Sequence, residues 1–183
     1  GLAGFAADNG RLLWSCARRS ASSTYTPIAR DDLVLSPNGY GGGLALFKVV
    51  VGEHGFRSEE LSHQTMDLAA FQDCTAAVND RLYLIERGAP ICVDMKAGMR
   101  VWSGSSTNRR GRAALTWADG HLYIRNARGE VALVRTLSDG FTEKGQFQIP
   151  DHEQSVGVTS PVLANGRLWL RDNDRLFCYD VSG

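Results

Sequence analysis

The chain has 183 residues, of which 43% are hydrophobic and 22% are charged, a balance typical of a globular domain with a core of its own. Twenty acidic and twenty basic residues cancel, which argues against a general surface for nucleic acid or for anionic membranes. The balanced charge leads us to expect no nucleic-acid partner. No apolar run approaches the roughly 18 residues that a spanning helix needs, so we also expect no membrane span.

Neither the cysteines nor the histidines form a recognisable site. The cysteines contain no Cys-x-x-Cys pair and are too scattered for a disulfide framework; they are Cys16, Cys74, Cys92 and Cys178. The four histidines share no ligand spacing, and no Gly-x-Ser-x-Gly elbow is present. We therefore predict no metal site and no catalytic residue in this sequence.

A polar turn followed by an apolar strand start occurs four times along the chain. The first apolar residues are Leu33, Leu82, Leu122 and Leu168, at intervals of 49, 40 and 46 residues. A period of roughly 40–50 residues built from short strands is typical of β-propeller blades. Small residues inside strands repeat in step with these leucines, at Gly4, Ala45, Cys92, Ala132 and Cys178. We therefore predict an all-β fold, a β-propeller of four-stranded antiparallel blades.

Residues 1–26 are predicted to be the end of one blade. Residues 2–5 form a third strand, and a turn then leads into a fourth strand that contains Trp14. Gly10, four residues before Trp14, permits the positive φ of that turn. Trp14 offers a large apolar face for packing.

Residues 27–74 are predicted to form the next blade. Its Gly-rich loop at 38–43 is not a P-loop, because no Lys-Ser/Thr follows and the loop lies between strands. Tyr40 in this loop is a candidate for partner contact. The segment 52–73 departs furthest from the repeat, so it is a candidate insertion for partner binding, with an outer strand at 58–61.

Residues 75–112 are predicted to form a further blade. Its third and fourth strands carry the pattern Asp94-x-x-x-Gly98-x-x-x-Trp102. Gly98 follows Gly10 by 88 residues, and Trp102 follows Trp14 by the same interval. Asp94 is expected to cap the turn through backbone N–H groups. The segment is therefore expected to be structural rather than catalytic.

The connection at the end of this blade is basic. Its arginines either form a solvated turn or contact a partner; they are Arg109, Arg110 and Arg112. Further on, Arg125 and Arg171 hold matching positions, which we interpret as a role at the blade edge.

Residues 113–155 are predicted to form a blade, and residues 156–183 a partial one. The turns Asp119-Gly120 and Asn165-Gly166 favour type I′ hairpins, because both central residues need positive φ. Asp180 matches Asp94 and is expected to cap a turn in the same way.

Blades with and without the tryptophan alternate, since the strands at 45–48 and 132–135 are not followed by one. This alternation suggests a two-blade repeat, which fits an even number of blades. About four blades are present, and we expect the chain to be a fragment of a larger ring of six to eight blades. A self-contained four-bladed ring is the alternative, and the strand count disfavours it.

The segments 6–14 and 92–102 resemble the PQQ-like (pyrroloquinoline-quinone) repeat, whose pattern is approximately Ala-x-Asp-x-x-x-Gly-x-x-x-Trp. The segments 26–28 and 160–162 resemble the inner strands of that family. The family includes quinoprotein alcohol dehydrogenases and non-enzymatic scaffolds such as BamB. In the family such tryptophans dock between neighbouring blades.

The resemblance leaves two functions open. The first is a non-catalytic scaffold that binds a protein partner or a small ligand of unknown identity. The alternative is part of a quinone-dependent dehydrogenase whose catalytic residues lie outside this chain. The family's enzymes carry adjacent cysteines, a metal-binding carboxylate and a catalytic Asp, for which this sequence has no match. The residues indicate no cofactor, and PQQ is implied only by the resemblance.

The resemblance also implies an extracytoplasmic location and the remaining blades of the ring as partners. A carbohydrate-binding propeller is a third reading, and it would need exposed aromatic side chains on one face. Tyr40 and Trp117 are the candidates for that role.

Overall fold

A computed structural model describes residues 1–17, 25–39, 41–68, 75–104, 112–153 and 158–182. These residues form seventeen β-strands in five antiparallel sheets. The first sheet pairs β1 (Leu2–Phe5) with β2 (Leu12–Cys16). The part of the chain described here has no helix long and apolar enough to span a membrane.

The next three sheets have four strands each, joined in chain order. The second sheet consists of β3 (Ile28–Arg30), β4 (Leu33–Asn38), β5 (Gly43–Gly52) and β6 (Gly55–Gln64). The third consists of β7 (Thr75–Val78), β8 (Arg81–Glu86), β9 (Ala89–Asp94) and β10 (Met99–Ser103). The fourth consists of β11 (Ala113–Ala118), β12 (His121–Asn126), β13 (Glu130–Thr136) and β14 (Phe141–Gln148).

The fifth sheet has three strands within the described residues. They are β15 (Val162–Ala164), β16 (Arg167–Asp172) and β17 (Arg175–Asp180).

The first hairpin of each of these last four sheets turns through a residue with positive φ. These residues are Asp31, Asn79, Asp119 and Asn165, with φ of 53°, 52°, 47° and 51°. The glycines after Asp119 and Asn165 also have positive φ, as the predicted type I′ turns require, so that prediction is confirmed.

The hairpins also correct the predicted repeat by one residue. Arg30 pairs with Leu33 across its turn, as Val78 pairs with Arg81. Val34, and not Leu33, therefore corresponds to Leu82. The pattern was misleading because both residues after the first turn are apolar, whereas a polar residue marks the first position in the other repeats.

Hydrophobic clusters lie between consecutive sheets. The cluster between the second and third sheets includes Leu46 and Val93. The cluster between the third and fourth includes Cys92 and Val134, and that between the fourth and fifth includes Val131 and Leu168. In addition, β2 packs beside β6. The sheets therefore stack face to face in chain order, as propeller blades do.

Wherever a described third strand pairs with a fourth, the pairing has a β-bulge at the same place, with the extra residue on the fourth strand. The cross-strand pairs just before the bulge are Gly4 with Trp14, Leu46 with Ser62, Cys92 with Trp102, and Leu133 with Gly145. The large residue thus lies alternately on the fourth and on the third strand. In each of these cross-strand pairs one side chain is large and the other is small, and together they fill the space beside the bulge. The change of the large residue from one strand to the other in successive sheets gives the two-blade repeat a physical basis.

The bulges also correct the predicted column of small residues. Ala45 and Ala132 lie one position before Leu46 and Leu133, which are the true counterparts of Cys92. The predicted set of repeating small residues therefore combines side chains from two faces of the sheets, because successive strand residues point to opposite faces.

The predicted departure from the repeat at 52–73 includes a hairpin whose strands, β5 and β6, have 10 residues each and are longer than the corresponding strands of the other sheets. Its role in partner binding stays a prediction. Gly52 pairs with Gly55, so this region is the tip of the long β5–β6 hairpin. The predicted outer strand at 58–61 lies within β6 and is confirmed. Residues 69–73 lie outside the described ranges.

Candidate functional site

An open groove of about 490 Å³ lies between the first strands of the third and fourth sheets. It is lined by residues 75–78 of β7, by Asn79, and by Leu115, Thr116 and Trp117 of β11. The two strands are neighbours because their sheets are stacked. The groove therefore depends on the packing between two sheets rather than on one hairpin.

The side chains that line the groove are uncharged. Trp117 is half-buried and packs against the cluster between the third and fourth sheets. The Thr116 hydroxyl donates to the carbonyl of Pro161 at 2.5 Å, which ties β11 to the segment before β15. A groove with this lining can bind through apolar contacts and hydrogen bonds, but its lining residues supply no general acid or base.

The predicted partner-contact residues are only partly described. Tyr40, Arg109 and Arg110 lie outside the described residues. Arg112 is half-buried directly before β11, and its carbonyl accepts a hydrogen bond from the Ala127 amide at 2.9 Å.

Asp94 lies at the end of β9, and its carboxylate caps the following turn. Its Oδ1 accepts hydrogen bonds from the amides of Lys96 and Ala97, each at 2.9 Å. Its Oδ2 accepts one from Arg81 Nη1 at 2.6 Å. The Ala97 amide, followed by these other contacts, holds the pKa of Asp94 below its usual value.

Gly98 closes the same turn with a φ of +64°. A Cβ at this position would lie 2.5 Å from Ser62 Oγ and 3.0 Å from Leu46 Cβ. Glycine is therefore required both by the turn and by its close packing on the second sheet.

Trp102 is 7% exposed and lies between two sheets. Its ring centroid is 6.0 Å from that of Tyr83 in its own sheet and 5.5 Å from that of Phe141 in the next. Trp14 is half-buried and lies so close over Gly4 that a Cβ on Gly4 would overlap the indole.

The turns at Gly10 and Asp180 repeat parts of this geometry. The Gly10 amide donates to the Ala6 carbonyl at 2.9 Å, as the Gly98 amide does to Asp94. Asp180 Oδ1 accepts hydrogen bonds from the hydroxyl and the amide of Ser182, at 2.5 and 3.0 Å. The hydroxyl contact first, and then the amide, lowers the pKa of Asp180.

A buried charged cluster lies between the fourth and fifth sheets, and no pattern in the sequence indicates it. Arg125 is 1% exposed, and its Nη2 donates to Asp172 Oδ1 at 2.5 Å. Its Nη1 donates to Thr159 Oγ1 at 2.9 Å and to the carbonyl of Arg171. Burial lowers the pKa of Arg125, and the charge of Asp172 opposes that effect.

His152 completes this cluster. Its Nδ1 lies 3.0 Å from Asp172 Oδ2, and its Nε2 lies 3.1 Å from the Ala127 carbonyl. Both partners are acceptors, so the ring makes both hydrogen bonds at once only when doubly protonated.

The predicted role at the blade edge is wrong for Arg125, because its side chain is buried. Arg171, at the matching position of the next sheet, is exposed. The two differ because the fifth sheet covers the face that carries Arg125. The sequence gives no signal that separates the two, because each arginine lies in a strand with several apolar residues.

The described residues offer no donor set for the metal of a quinone enzyme, since no three His, Cys, Asp or Glu side chains among them come together. Of the cysteines, Cys92 is buried and Cys178 is exposed, while Cys74 lies outside the described ranges. Burial raises the pKa of the Cys92 thiol to about 11.

No protein-family model matches the chain, and no curated protein matches its sequence. Solved structures do resemble it. BamB from Moraxella catarrhalis is 14% identical with a TM-score of 0.64, over 92% of this chain and 49% of that one. The computationally designed protein Ika4 is 15% identical with a TM-score of 0.61, over 94% of this chain and 99% of that one. A europium-containing methanol dehydrogenase is 9% identical with a TM-score of 0.51, over 81% of this chain and 32% of that one.

The chain therefore spans about half the length of BamB and almost the whole length of Ika4. At such low identities the likeness concerns the fold alone. It agrees with the all-β sheets and their stacking described above. The chain has a β-propeller fold, with stacked antiparallel sheets of up to four strands among the described residues.

Proposed function

We propose that the chain is a non-catalytic binding scaffold that holds a protein partner or a small ligand in the groove between β7 and β11. The observation that carries this proposal is the groove itself, an opening of about 490 Å³ with uncharged walls and a half-buried Trp117. A half-buried aromatic side chain offers contact area at low entropic cost. The fold likeness to BamB and the resemblance to a family that contains scaffolds support the same function.

Tyr40, Arg109, Arg110 and Arg112 stay proposed partner contacts. Arg112 directly precedes β11, so the basic connection leads into a strand that lines the groove. The positive charge of this basic connection would favour a partner with acidic groups near β11.

Site-specific photo-crosslinking tests the groove. A benzoylphenylalanine in place of the exposed Ala77, which lines the groove, is compared with one in place of the exposed Thr142 on β14. In extract from the source cells we expect a defined adduct from position 77 only. Trp117→Ala should reduce its yield, and so should Arg109→Ala combined with Arg110→Ala. Equal adducts from both positions, or none from position 77, would count against the groove.

The second candidate is part of a quinone-dependent dehydrogenase, favoured by the fold likeness to a methanol dehydrogenase. The described residues do not fit a quinone–metal site, so no catalytic step is derived from them. Titration of the protein with PQQ and calcium or europium separates the two functions. We expect no saturable absorbance change up to millimolar ligand, whereas saturable binding would favour the enzyme.

We further propose an extracytoplasmic location and a larger ring that contains this chain. The first rests on the family resemblance, and the second on the 49% of BamB that the chain spans. Fractionation of cells that express the complete gene tests the location.

A further inference from the structure

The β5–β6 hairpin extends past the rest of its own sheet. β4 begins at Leu33, which pairs with Lys48 of β5. From Val49 to Gly52, β5 pairs with β6 and with no other described strand. In the third sheet, by contrast, Asp94 pairs with Arg81 at the start of β8 and is the last residue of β9. At about 3.3 Å per residue, the β5–β6 hairpin therefore projects by about 13 Å.

The two faces of this hairpin tip differ in chemistry. Val51 and Phe56 lie directly opposite each other, and they are 76% and 43% exposed. On the other face Arg57 lies over Gly52, because a Cβ on Gly52 would be 2.8 Å from Arg57 Nη1. Arg57 Nη2 also donates to Glu59 Oε1 at 2.8 Å. One face of the tip is therefore apolar, and the other is covered by an ion pair.

The apolar face is exposed because the neighbouring hairpins are shorter. β5 ends at Gly52, six residues after Leu46 at the bulge. The third strand of the first sheet ends one residue after Gly4, and that of the third sheet ends two residues after Cys92, at the same bulge. The second sheet itself has four strands. The exposure of the apolar pair thus follows from the length of its own hairpin.

The charges of the hairpin indicate the chemistry of a partner. Its two basic residues are each held in an ion pair with an acidic neighbour, at 3.2 and 2.8 Å; the pairs are Lys48–Asp32 and Arg57–Glu59. Glu53 in the turn and Glu60 on β6 are both exposed. Glu60 lies on the same face as Phe56, because strand residues at intervals of two share a face. Negative charge therefore borders the apolar pair.

We propose that the hairpin tip docks into a protein partner that has an apolar pocket with a basic rim. Val51 and Phe56 enter the pocket, and Glu53 and Glu60 face Lys or Arg side chains at its rim. Strand pairing continues up to the turn, so docking orders little backbone. The same two glutamates would be repelled by the phosphates of an anionic membrane. The tip shares no residue with the groove between β7 and β11, so the two proposals are tested independently.

Photo-crosslinking at two equivalent turns tests this docking. Benzoylphenylalanine replaces the exposed His54 in the β5–β6 turn or, as the matched control, the exposed Asp139 in the β13–β14 turn. In extract from the source cells we expect a defined adduct from position 54 only. Sequencing of the adduct by mass spectrometry should place the label on a partner segment that contains apolar residues and a Lys or Arg.

Surface variants that also carry the label at position 54 identify the side chains that hold the partner. Val51→Ser combined with Phe56→Ser, the serine variant, should reduce the adduct yield at least about tenfold. Leu61→Ser is the matched change at a residue of β6 that is 51% exposed, and it should leave the yield unchanged. Glu53→Lys should reduce the yield at low ionic strength and have less effect in high salt. All four side chains are exposed, so the urea midpoints should stay close to that of the unaltered chain.

Several results would overturn the proposal. Equal adducts from both turns, no adduct from position 54, or an unchanged yield in the serine variant would each do so, as would a labelled segment without Lys or Arg. A lower yield in Trp117→Ala would assign the partner to the groove instead. An adduct with a second copy would make this chain the occupant. Sedimentation with phosphatidylglycerol vesicles that is lost in the serine variant would make the occupant a membrane surface.

Discussion

Trp102 lies directly opposite Cys92 across the β9–β10 hairpin, just before a bulge. The small thiol side chain leaves the indole room to reach Phe141 of the next sheet, 5.5 Å away between ring centroids. In the preceding sheet Leu46 and Ser62 hold the same two positions with the sizes reversed. One large side chain per pair thus fills the space between consecutive sheets.

Replacement of Trp102 by alanine should destabilise the chain far more than the same change at Trp14. Trp102 is buried between two sheets, so Trp102→Ala should cost about 3–5 kcal/mol, whereas Trp14 is only half-buried. Urea denaturation of both variants measures the difference. Equal losses would show that Trp102 does not connect the sheets.

The Arg125–Asp172 pair should be intolerant of single changes. Arg125→Ala leaves Asp172 buried without its main partner and should cost about 3–5 kcal/mol. Arg125→Met combined with Asp172→Leu removes both charges and should restore most of that loss. Denaturation midpoints of the single and double variants test this. A double variant as unstable as Arg125→Ala would contradict the account.

The contribution of Asp94 to stability should depend on pH. Its pKa is lowered in the folded chain, so its stabilising effect is present above the unfolded pKa and is lost as the pH falls through the folded value. Asp94→Ala should therefore cost about 1–2 kcal/mol at pH 7 and much less at about pH 2. Thermal unfolding across this range measures the difference. Asp139→Ala, at an exposed position, is the control and should show little effect at either pH.

The cysteines should differ in reactivity. At pH 8 we expect iodoacetamide to modify Cys178 rapidly and Cys92 only on unfolding, because Cys92 is buried with a pKa of about 11. Peptide mapping by mass spectrometry identifies the modified residue. Modification of Cys92 in the folded chain at a rate similar to that of Cys178 would show that the interface between the third and fourth sheets is open.

Local chemistry explains which features could be predicted from the sequence. The turns at Asp119 and Asn165 are marked by residues that tolerate positive φ, and the spacing of Gly98 and Trp102 marks a whole hairpin. The repeat pattern places Leu33 one position out of register because Leu33 and Val34 are both apolar, and only strand pairing decides the register.

Features that depend on stacking were harder to predict. Arg125 and Arg171 hold the same place in the repeat, yet only Arg125 is covered by another sheet. The sequence indicates Trp117 as a candidate aromatic residue, but the groove that it lines also needs β7 of a different sheet beside β11. No local pattern in the sequence records either relationship.

The central claim is that consecutive sheets are held together by one large and one small residue at each bulge. A double-mutant cycle on Cys92→Leu and Trp102→Ser tests it most directly, with the free energy of unfolding as the readout. Cys92→Leu should cost about 1–3 kcal/mol through overpacking, and Trp102→Ser about 3–5 kcal/mol through a cavity. Together they recreate the arrangement of Leu46 and Ser62, so the double variant should be more stable than the sum predicts by at least about 1 kcal/mol. Losses that add to within about 0.5 kcal/mol would contradict the claim.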